Sequence, residues 1–201
     1  RIEVIRGPGA TLWGANAVNG VINIITRNAA DSPGTLASAG AGRQERAYAG
    51  LRHGGEFGSL GHYRVYARHV RREGNELTDS GQPAADTTEQ SRIGFRTDLQ
   101  LDASHRLTLQ GDLYEGESGE STQEFNFTAP FVTIGEHQAN VEGFNLLSRW
   151  ELDTSGESSL SMQMFVDRAR REWRVFDVDR STIDLDLDYR HTGFARHDLL
   201  F

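Results

Sequence analysis

The sequence of 201 residues contains no cysteine, no lysine and only four prolines. The absence of cysteine excludes disulfide bonds and thiolate metal sites, and leaves the redox compartment undetermined. The low proline content excludes a proline-rich linker, and the 22 glycines do not form a collagen-like repeat. All 21 basic residues are arginine, which we interpret as a bias of composition and not as a binding feature.

Long apolar runs are missing as well. Only 37% of the residues are hydrophobic, and no stretch approaches the roughly 20 apolar residues of a spanning helix, which excludes a helical membrane protein. A membrane β-barrel is compatible with this composition, because its strands need only about 9–11 residues and show lipid an apolar residue at every second position. The net charge of −8 argues against binding of nucleic acid.

Both ends of the sequence have the character of internal positions. The chain begins at Arg1 with no initiator methionine and no signal series, and it stops inside the apolar pattern 199–201. We therefore expect a fragment of a longer protein.

From about residue 35 onward, apolar and polar residues alternate with a period of two, which predicts β-strands. In the clearest example, Ile93, Phe95 and Leu99 alternate with Arg96 and Asp98. Equivalent patterns occupy 107–113, 144–152, 160–166 and 183–189, and weaker ones occupy 35–42, 46–53 and 63–71. We expect about eight strands, with a ninth beginning near the end.

The connections between these strands alternate between short and long. Short turns are expected at 54–61, 102–105, 154–157 and 193–196, and long polar loops at 72–89, 115–142 and 172–182. Bacterial outer-membrane barrels have short periplasmic turns and long outer loops, whereas a soluble sandwich has no reason to sort its loops in this way. The polar faces carry charges of both signs, which suits a wide lumen that is wet or plugged. The predicted fold is an all-β, transmembrane antiparallel β-barrel, of which this chain holds a part.

Residues 1–27 carry the most specific pattern in the chain. They read RIEVIRGPGATLWGANAVNGVINIITR, with two β-branched runs separated by turn residues. This segment resembles the C-terminal part of the plug domain of TonB-dependent outer-membrane receptors. The residues that carry the resemblance are Arg6, Gly7 and Pro8 in an RGP turn, Leu12, Trp13 and Gly14 in an LWG motif, and Gly20 and Asn23 in a GxINIIT strand.

The resemblance implies a division of the chain into the end of a plug (1–27), a linker (28–34) and the N-terminal strands of the barrel wall (35–201). Outer-membrane transporters of this kind have 22 strands and a plugged lumen. The resemblance further implies a receptor in the outer membrane of a Gram-negative bacterium, in contact with membrane lipid. Such a receptor takes up a scarce nutrient, most often a ferric siderophore or other iron complex, with vitamin chelates as alternatives. A TonB-type inner-membrane complex would energise uptake through a segment N-terminal to this chain, and no resident cofactor is implied.

Two sets of residues are candidates for a functional role. Glu3 and Arg6 could tie the plug to the barrel wall, or could pair with each other or with water. In the long loop 115–142, exposed aromatic side chains can stack on a planar ligand or cover a chelate, or can instead fold the loop back on the barrel mouth. The candidates in this loop are Phe125, Phe127, Phe131 and His137.

The remaining patterns favour neither catalysis nor a metal site. The glycines near the N-terminus are not followed by a lysine or a helix, which argues against a phosphate-binding loop. The histidines show no metal-ligand spacing, and the aspartates of 177–188 lack the glycine and glutamate of an EF-hand. We therefore expect no enzyme. Two alternatives to the receptor stay open, namely a small complete eight-stranded outer-membrane barrel with a structural or adhesive role, and a secreted soluble β-sandwich that binds carbohydrate.

Overall fold

The computed structural model of the chain describes residues 1–9, 17–75, 84–155, 158–174, 176–194 and 197–200. The strands are β1 (Ile2–Arg6), β2 (Gly20–Ile24), β3 (Gly34–Gly40), β4 (Ala47–Glu56), β5 (Gly61–Arg72), β6 (Thr88–Gln100), β7 (His105–Phe125), β8 (Val132–Ser155), β9 (Ser158–Glu172), β10 (Asp177–Phe194) and β11 (His197–Leu200). Single 3₁₀ turns lie at Ala29–Asp31 and Gly58–Leu60. No helix in these described ranges is long and apolar enough to cross a membrane.

The strands form two antiparallel sheets. β1 and β2 pair as an N-terminal hairpin, and β3 to β11 form a nine-stranded sheet in which every strand pairs with its neighbours in the chain. The all-β antiparallel class is therefore confirmed. The strand count is confirmed as well, because β3 to β10 are the eight expected strands and the four-residue β11 is the ninth. Over the described residues the nine-stranded sheet is open, with β3 and β11 at its edges. A closed eight-stranded barrel, one of the alternatives above, is not the structure observed.

The register of the large sheet places apolar residues in rows on one face. Phe95, Gly111, Leu146, Val166 and Ile183 are successive cross-strand partners from β6 to β10. Because side chains alternate between faces, the neighbouring polar residues lie on the opposite side. The sheet thus has one apolar face and one polar face, as the sequence periodicity predicted.

No second layer packs on the apolar face within the described part of the chain. Ile183 is 78% exposed and Leu185 66% exposed, and the buried apolar residues found there are Ala17, Ala29, Val70 and Ala139. A soluble β-sandwich buries its apolar faces in a core about 10 Å thick, whereas this apolar face is exposed over the described residues. An apolar face of this extent is suited to contact with lipid.

Two strands are much longer than a membrane crossing requires. β7 has 21 residues and β8 has 24, whereas about 9–11 residues suffice to cross the hydrocarbon layer. Their pairing continues without interruption to Phe125 and Val132. The long loop expected at 115–142 is therefore wrong over most of its length, because only 126–131 connect the strands. The parts of β7 and β8 next to this connection carry many polar residues on both faces. Their hydrophobicity therefore does not alternate with the two-residue period of a strand.

The turn between β6 and β7 is closed by Asp102. Its Oδ1 accepts hydrogen bonds from the backbone N–H groups of Ser104 (2.8 Å) and His105 (2.9 Å). These hydrogen bonds hold the pKa of the Asp102 carboxyl below its ordinary value. The turn lies at the same edge of the sheet as the short turn around Gly58–Leu60. At the opposite edge β9 ends at Glu172 and β10 begins at Asp177, so the long loop expected at 172–182 is wrong.

Tyrosine side chains lie across glycines on the polar face. Tyr66 pairs with Gly94, Tyr114 with Gly143, and Tyr48 with Gly40. In each pair the ring occupies the space that a glycine Cβ would need. An aromatic ring that covers a glycine shields its backbone and fixes the register of the two strands.

We expect Gly94→Ala to destabilise the barrel wall, because the new Cβ would collide with Oδ1 of Asp112 and would lie 2.6 Å from Cε1 of Tyr66. Overpacking of this kind costs about 1–3 kcal/mol. The measurement is the free energy of unfolding of the native protein in lipid vesicles. Gly42→Ala is the matched control, since the nearest atom to its Cβ is the carbonyl oxygen of Glu45 at 3.5 Å. Equal stability of the two variants would show that the Tyr66 ring does not depend on this glycine.

Candidate functional site at the junction of the N-terminal unit and the sheet

The N-terminal hairpin is a compact unit whose turns require glycine. Gly7 has a φ of +93°, a conformation that glycine adopts without strain, and its N–H donates to the carbonyl oxygen of Asn19 at 3.2 Å. Gly20, with a φ of +156°, lies so close to β1 that a Cβ would approach the carbonyl oxygen of Ile5 to 2.7 Å. These contacts explain Gly7 and Gly20 of the N-terminal motif. Leu12, Trp13 and Gly14 of the same motif lie outside the described residues.

The segment that follows β2 is held against the polar face of the sheet by Asp98. The Asp98 carboxylate accepts a hydrogen bond of 2.7 Å from the backbone N–H of Ala29 and one of 3.0 Å from the hydroxyl of Thr108. Asn28 caps the same 3₁₀ turn, since its Oδ1 accepts from the N–H of Ala30 at 2.9 Å. We call the polar face, which receives this segment, the inner face.

Arg96 connects the segment to two strands at once. Its Nε and Nη2 donate to the two carboxylate oxygens of Asp98 at 2.8 and 2.7 Å. Its Nη1 donates to Oγ1 of Thr26 at 2.7 Å and to Oε1 of Gln110 at 3.0 Å. Side-chain exposure is only 16% for Arg96 and 12% for Asp98, so this forked ion pair is shielded from water and is stronger than a surface pair.

Arg64 and Gly54 complete the junction. Nη1 of Arg64 donates to the carbonyl oxygen of Arg27 at 3.1 Å and to the hydroxyl of Ser32 at 3.4 Å. Gly54 lets the backbone of Ser32 approach β4 directly, because a Cβ there would collide with the Ser32 carbonyl group. Ser32 and Ala29 are almost fully buried as a result. The junction thus fixes residues 26–32 to four strands of the wall, β4 to β7, through contacts that include polar ones exchangeable for water.

Sequence reasoning placed the tie between the two units elsewhere. In the structure, Glu3 accepts a hydrogen bond from Nδ2 of Asn23 at 2.9 Å and forms an ion pair with Arg1 at 2.7 Å, both within the N-terminal unit. A tie to the wall through Glu3 and Arg6 stays a prediction. The sequence pattern identifies Arg96 and Asp98 only as charges on a polar face, although opposite charges two residues apart on one strand face are a signal of a local ion pair.

The predicted ligand loop is the tip of the β7–β8 hairpin. Phe125 is 79% exposed, Phe131 is 65% exposed, and Phe127 is fully exposed. These rings therefore do not fold back onto the described wall. His137 lies five residues beyond Val132, the partner of Phe125, and on the opposite face of β8. The structure brings the three phenylalanines together at the tip and separates His137 from them.

His137 belongs instead to a charged cluster at the base of the tip. Its Nε2 lies 2.8 Å from Oε1 of Glu124, and the guanidinium of Arg174 donates to the same carboxylate. The hydrogen bond with His137 and the charge of Arg174 lower the pKa of the Glu124 carboxyl. The cluster connects the β7–β8 hairpin to the segment between β9 and β10.

We expect this connection to loosen in acid. A carboxyl whose pKa is lowered by folding contributes stability above its unfolded pKa of about 4.3, and loses that contribution as the pH falls through the folded value. Because the chain has no cysteine, spin labels can be placed at Gln123→Cys and Phe176→Cys. The distance distribution between them should be narrow at neutral pH and broad in strong acid. In the Glu124→Gln variant the distance distribution should be broad at neutral pH and in strong acid. A wild-type distribution that does not change with pH would contradict the prediction.

Comparison with known proteins identifies relatives for both parts of the chain. The ferric enterobactin receptor of Pseudomonas aeruginosa is 30% identical over 182 aligned residues, which cover 76% of this chain and 24% of the receptor. The vitamin B12 transporter BtuB of Vibrio cholerae is 34% identical over 122 residues, covering 57% of this chain and 19% of the transporter. The iron-regulated outer membrane virulence protein of Vibrio cholerae is 74% identical over 27 residues, or 13% of this chain and 4% of that protein. No family model matches the chain.

The described structure is an antiparallel wall with one apolar face and with an N-terminal unit joined to its polar face. The chain belongs to the family of TonB-dependent outer-membrane receptors, as its N-terminal motif indicated. Its location is the outer membrane of a Gram-negative bacterium. The relatives are receptors and transporters, so the expectation of a protein that is not an enzyme is confirmed. The chain spans less than a quarter of the length of these relatives.

Proposed function

We propose that the native receptor binds a scarce nutrient outside the cell and passes it inward by rearrangement of its plug. The observation that carries this proposal is the junction, where residues 26–32 are fixed to the inner face by hydrogen bonds and an ion pair. A polar junction can anchor the end of the plug while the rest of the plug moves. In this proposal residues 1–27 belong to the plug, 28–34 to the linker and 35–201 to the wall.

The cargo that we propose is a ferric siderophore or another iron complex. Two of the relatives carry iron in their names, and one of them aligns with most of this chain. The names of others specify vitamin B12. The energy for uptake comes, in this proposal, from a TonB-type inner-membrane complex that engages a more N-terminal segment of the native receptor. The apolar face contacts outer-membrane lipid.

Uptake by living cells tests the proposal. Cells that lack the receptor gene should lose energy-dependent import of at least one radiolabelled ferric siderophore, and a plasmid copy should restore it. A protonophore, or removal of the inner-membrane complex, should abolish import while leaving cargo binding intact. Import of labelled cobalamin alone would keep the transport function and overturn the iron assignment. Import that continues without the inner-membrane complex would overturn energised transport.

We further propose that the tip of the β7–β8 hairpin contacts the cargo through Phe125, Phe127 and Phe131, with His137 contributing from the base. The exposure of the three rings supports this role, since exposed aromatic rings can stack on planar chelates. Replacement of the three phenylalanines by serine should weaken cargo binding to intact cells and leave barrel assembly unchanged. Unaltered binding would assign the tip a role other than recognition.

A further inference from the structure

A histidine, a tryptophan and an aspartate lie in contact where the apolar face ends at the short-turn edge. His105 begins β7, Trp150 lies diagonally across from it on β8, and Asp102 closes the turn before β7. The cross-strand partners of Trp150 are Leu107 and Met162, so its indole lies on the apolar face. In a membrane barrel, aromatic side chains at the end of the apolar face meet the lipid headgroups.

The contact between the two rings fixes the position of the imidazole proton. Nε1 of Trp150 donates a hydrogen bond of 3.2 Å to Nδ1 of His105, and the rings stack with their centroids 5.5 Å apart. An indole N–H can only donate, so Nδ1 carries no proton and the neutral imidazole has its proton on Nε2. This hydrogen bond therefore exists only while His105 is neutral.

Asp102 lies near the other ring nitrogen and favours the charged form of the imidazole. Nε2 of His105 is 3.9 Å from Oδ2 of Asp102, a distance at which the protonated ring forms an ion pair. Oδ1 of the same carboxylate accepts from the N–H groups of Ser104 and His105, so the turn stays closed in either state of the ring. These hydrogen bonds lower the pKa of the Asp102 carboxyl, which keeps it ionised wherever histidine titrates.

The other described neighbours of the imidazole add no charge on the apolar face. Leu152 is the cross-strand partner of His105, and Leu101 donates its N–H to the carbonyl oxygen of His105 at 2.9 Å. Arg106 lies on the polar face, where its ion pairs with two carboxylates of β8 are 3.3 and 3.4 Å long. The balance between the two forms of the ring thus depends on its indole and carboxylate contacts.

We propose that His105 is a pH-dependent switch that holds the Trp150 indole against the wall at neutral pH and releases it to phospholipid headgroups in acid. Histidine is the side chain whose charge changes between about pH 5 and 8. A proton on Nδ1 would place two donors opposite each other, which breaks the hydrogen bond with Trp150 and strengthens the attraction to Asp102. The released indole N–H needs an acceptor at the membrane boundary, and phosphate and ester oxygens of the lipid supply one. This inference rests on the proposed contact of the apolar face with lipid and does not depend on the cargo.

The test follows the Trp150 side chain of the native receptor in phospholipid vesicles. The receptor is labelled with fluorinated tryptophan, and the Trp150 fluorine signal is identified by its loss in Trp150→Phe. We expect this signal to titrate between about pH 8 and 5, with the population of the paired indole falling about fivefold or more, the effect of one lost hydrogen bond. A spin label on the lipid headgroup should broaden the signal more strongly in acid than at neutral pH.

Three variants show which group drives the titration. His105→Gln should abolish it, because glutamine offers the indole N–H an acceptor whose charge does not change. Asp102→Asn should move the midpoint to lower pH, because the amide oxygen still closes the turn but no longer stabilises the charged ring. His53→Gln is the matched control and should titrate as the wild type, since His53 also lies on the apolar face and pairs with Oγ1 of Thr35 at 2.8 Å.

A Trp150 signal that stays constant between about pH 8 and 5, or that changes equally in His105→Gln, would overturn the switch. A titration without stronger broadening by the headgroup label would overturn the release to lipid. A spin label on the lipid acyl chains tests the proposed lipid contact separately, since it should broaden the Trp150 signal already at neutral pH. No broadening by either label at any pH would overturn both the lipid contact of the apolar face and the switch.

Discussion

Asp98→Asn should release the segment after β2 from the barrel wall. The variant removes the negative charge of the ion pair with Arg96 and weakens the acceptor of the Ala29 N–H. Both charged side chains of this pair are largely buried. Loss of one partner from such a pair costs about 2–3 kcal/mol here, below the range for a fully buried pair because some exposure remains. Hydrogen exchange of the Ala29 amide in the native receptor should become about 30-fold to 150-fold faster.

Asp186→Asn is the matched control for this prediction. Asp186 also lies on the inner face, but it accepts only one long hydrogen bond among the described residues, of 3.4 Å from Nε2 of Gln163. Its replacement should leave exchange at Ala29 unchanged. Arg96→Lys should accelerate exchange at Ala29 to an intermediate degree, because lysine keeps the positive charge but cannot form two parallel hydrogen bonds to Asp98. Exchange at Ala29 that is identical in wild type and Asp98→Asn would show that Asp98 does not hold the junction.

Met164→Arg should strongly destabilise the native receptor in a bilayer. Met164 is the partner of Leu185 and lies in the middle of the apolar rows of the outer face. An arginine on the lipid-facing side near the bilayer midplane costs about 2–4 kcal/mol. The measurement is the free energy of unfolding from lipid vesicles of defined thickness.

Ser161→Arg provides the comparison on the other face of the same strand. Its cross-strand partners are Glu151 and Asp188, so a new arginine would meet negative charge on the wet side of the wall. We expect a change within about 0.5 kcal/mol, as for other tolerated substitutions. If both variants lost the same stability, the assignment of the apolar face to lipid would be contradicted.

The difference between expected and observed strands has a physical pattern. The sequence predicts β6, β9 and β10 because one face of each strand carries an apolar residue at nearly every second position. The parts of β7 and β8 next to their connection lack this alternation, and their polar sequence predicts a loop. Their pairing depends on backbone hydrogen bonds, which every residue except proline can form.

The sites were predictable to different degrees for similar reasons. The motif around Gly7 and Gly20 was visible because tight turns select glycine by its backbone freedom. The partners of Ala29 were not visible, since Asp98 lies 69 positions away in the chain. The separation of His137 from Phe125 follows from the register of β7 and β8. A segment predicted as a loop has no register, so the sequence could not show this separation.

The sequence by itself determined the all-β class, the two-faced wall and the family, because period and local turn chemistry are properties of neighbouring residues. The tertiary structure alone decided which charges meet. The cross-strand register brings Arg68 opposite Arg92 and Arg64 opposite Arg96, and the return of the chain after β2 brings Ala29 to Asp98. A shift of one residue in pairing would turn each of these side chains to the other face, so their contacts depend on register and not on composition.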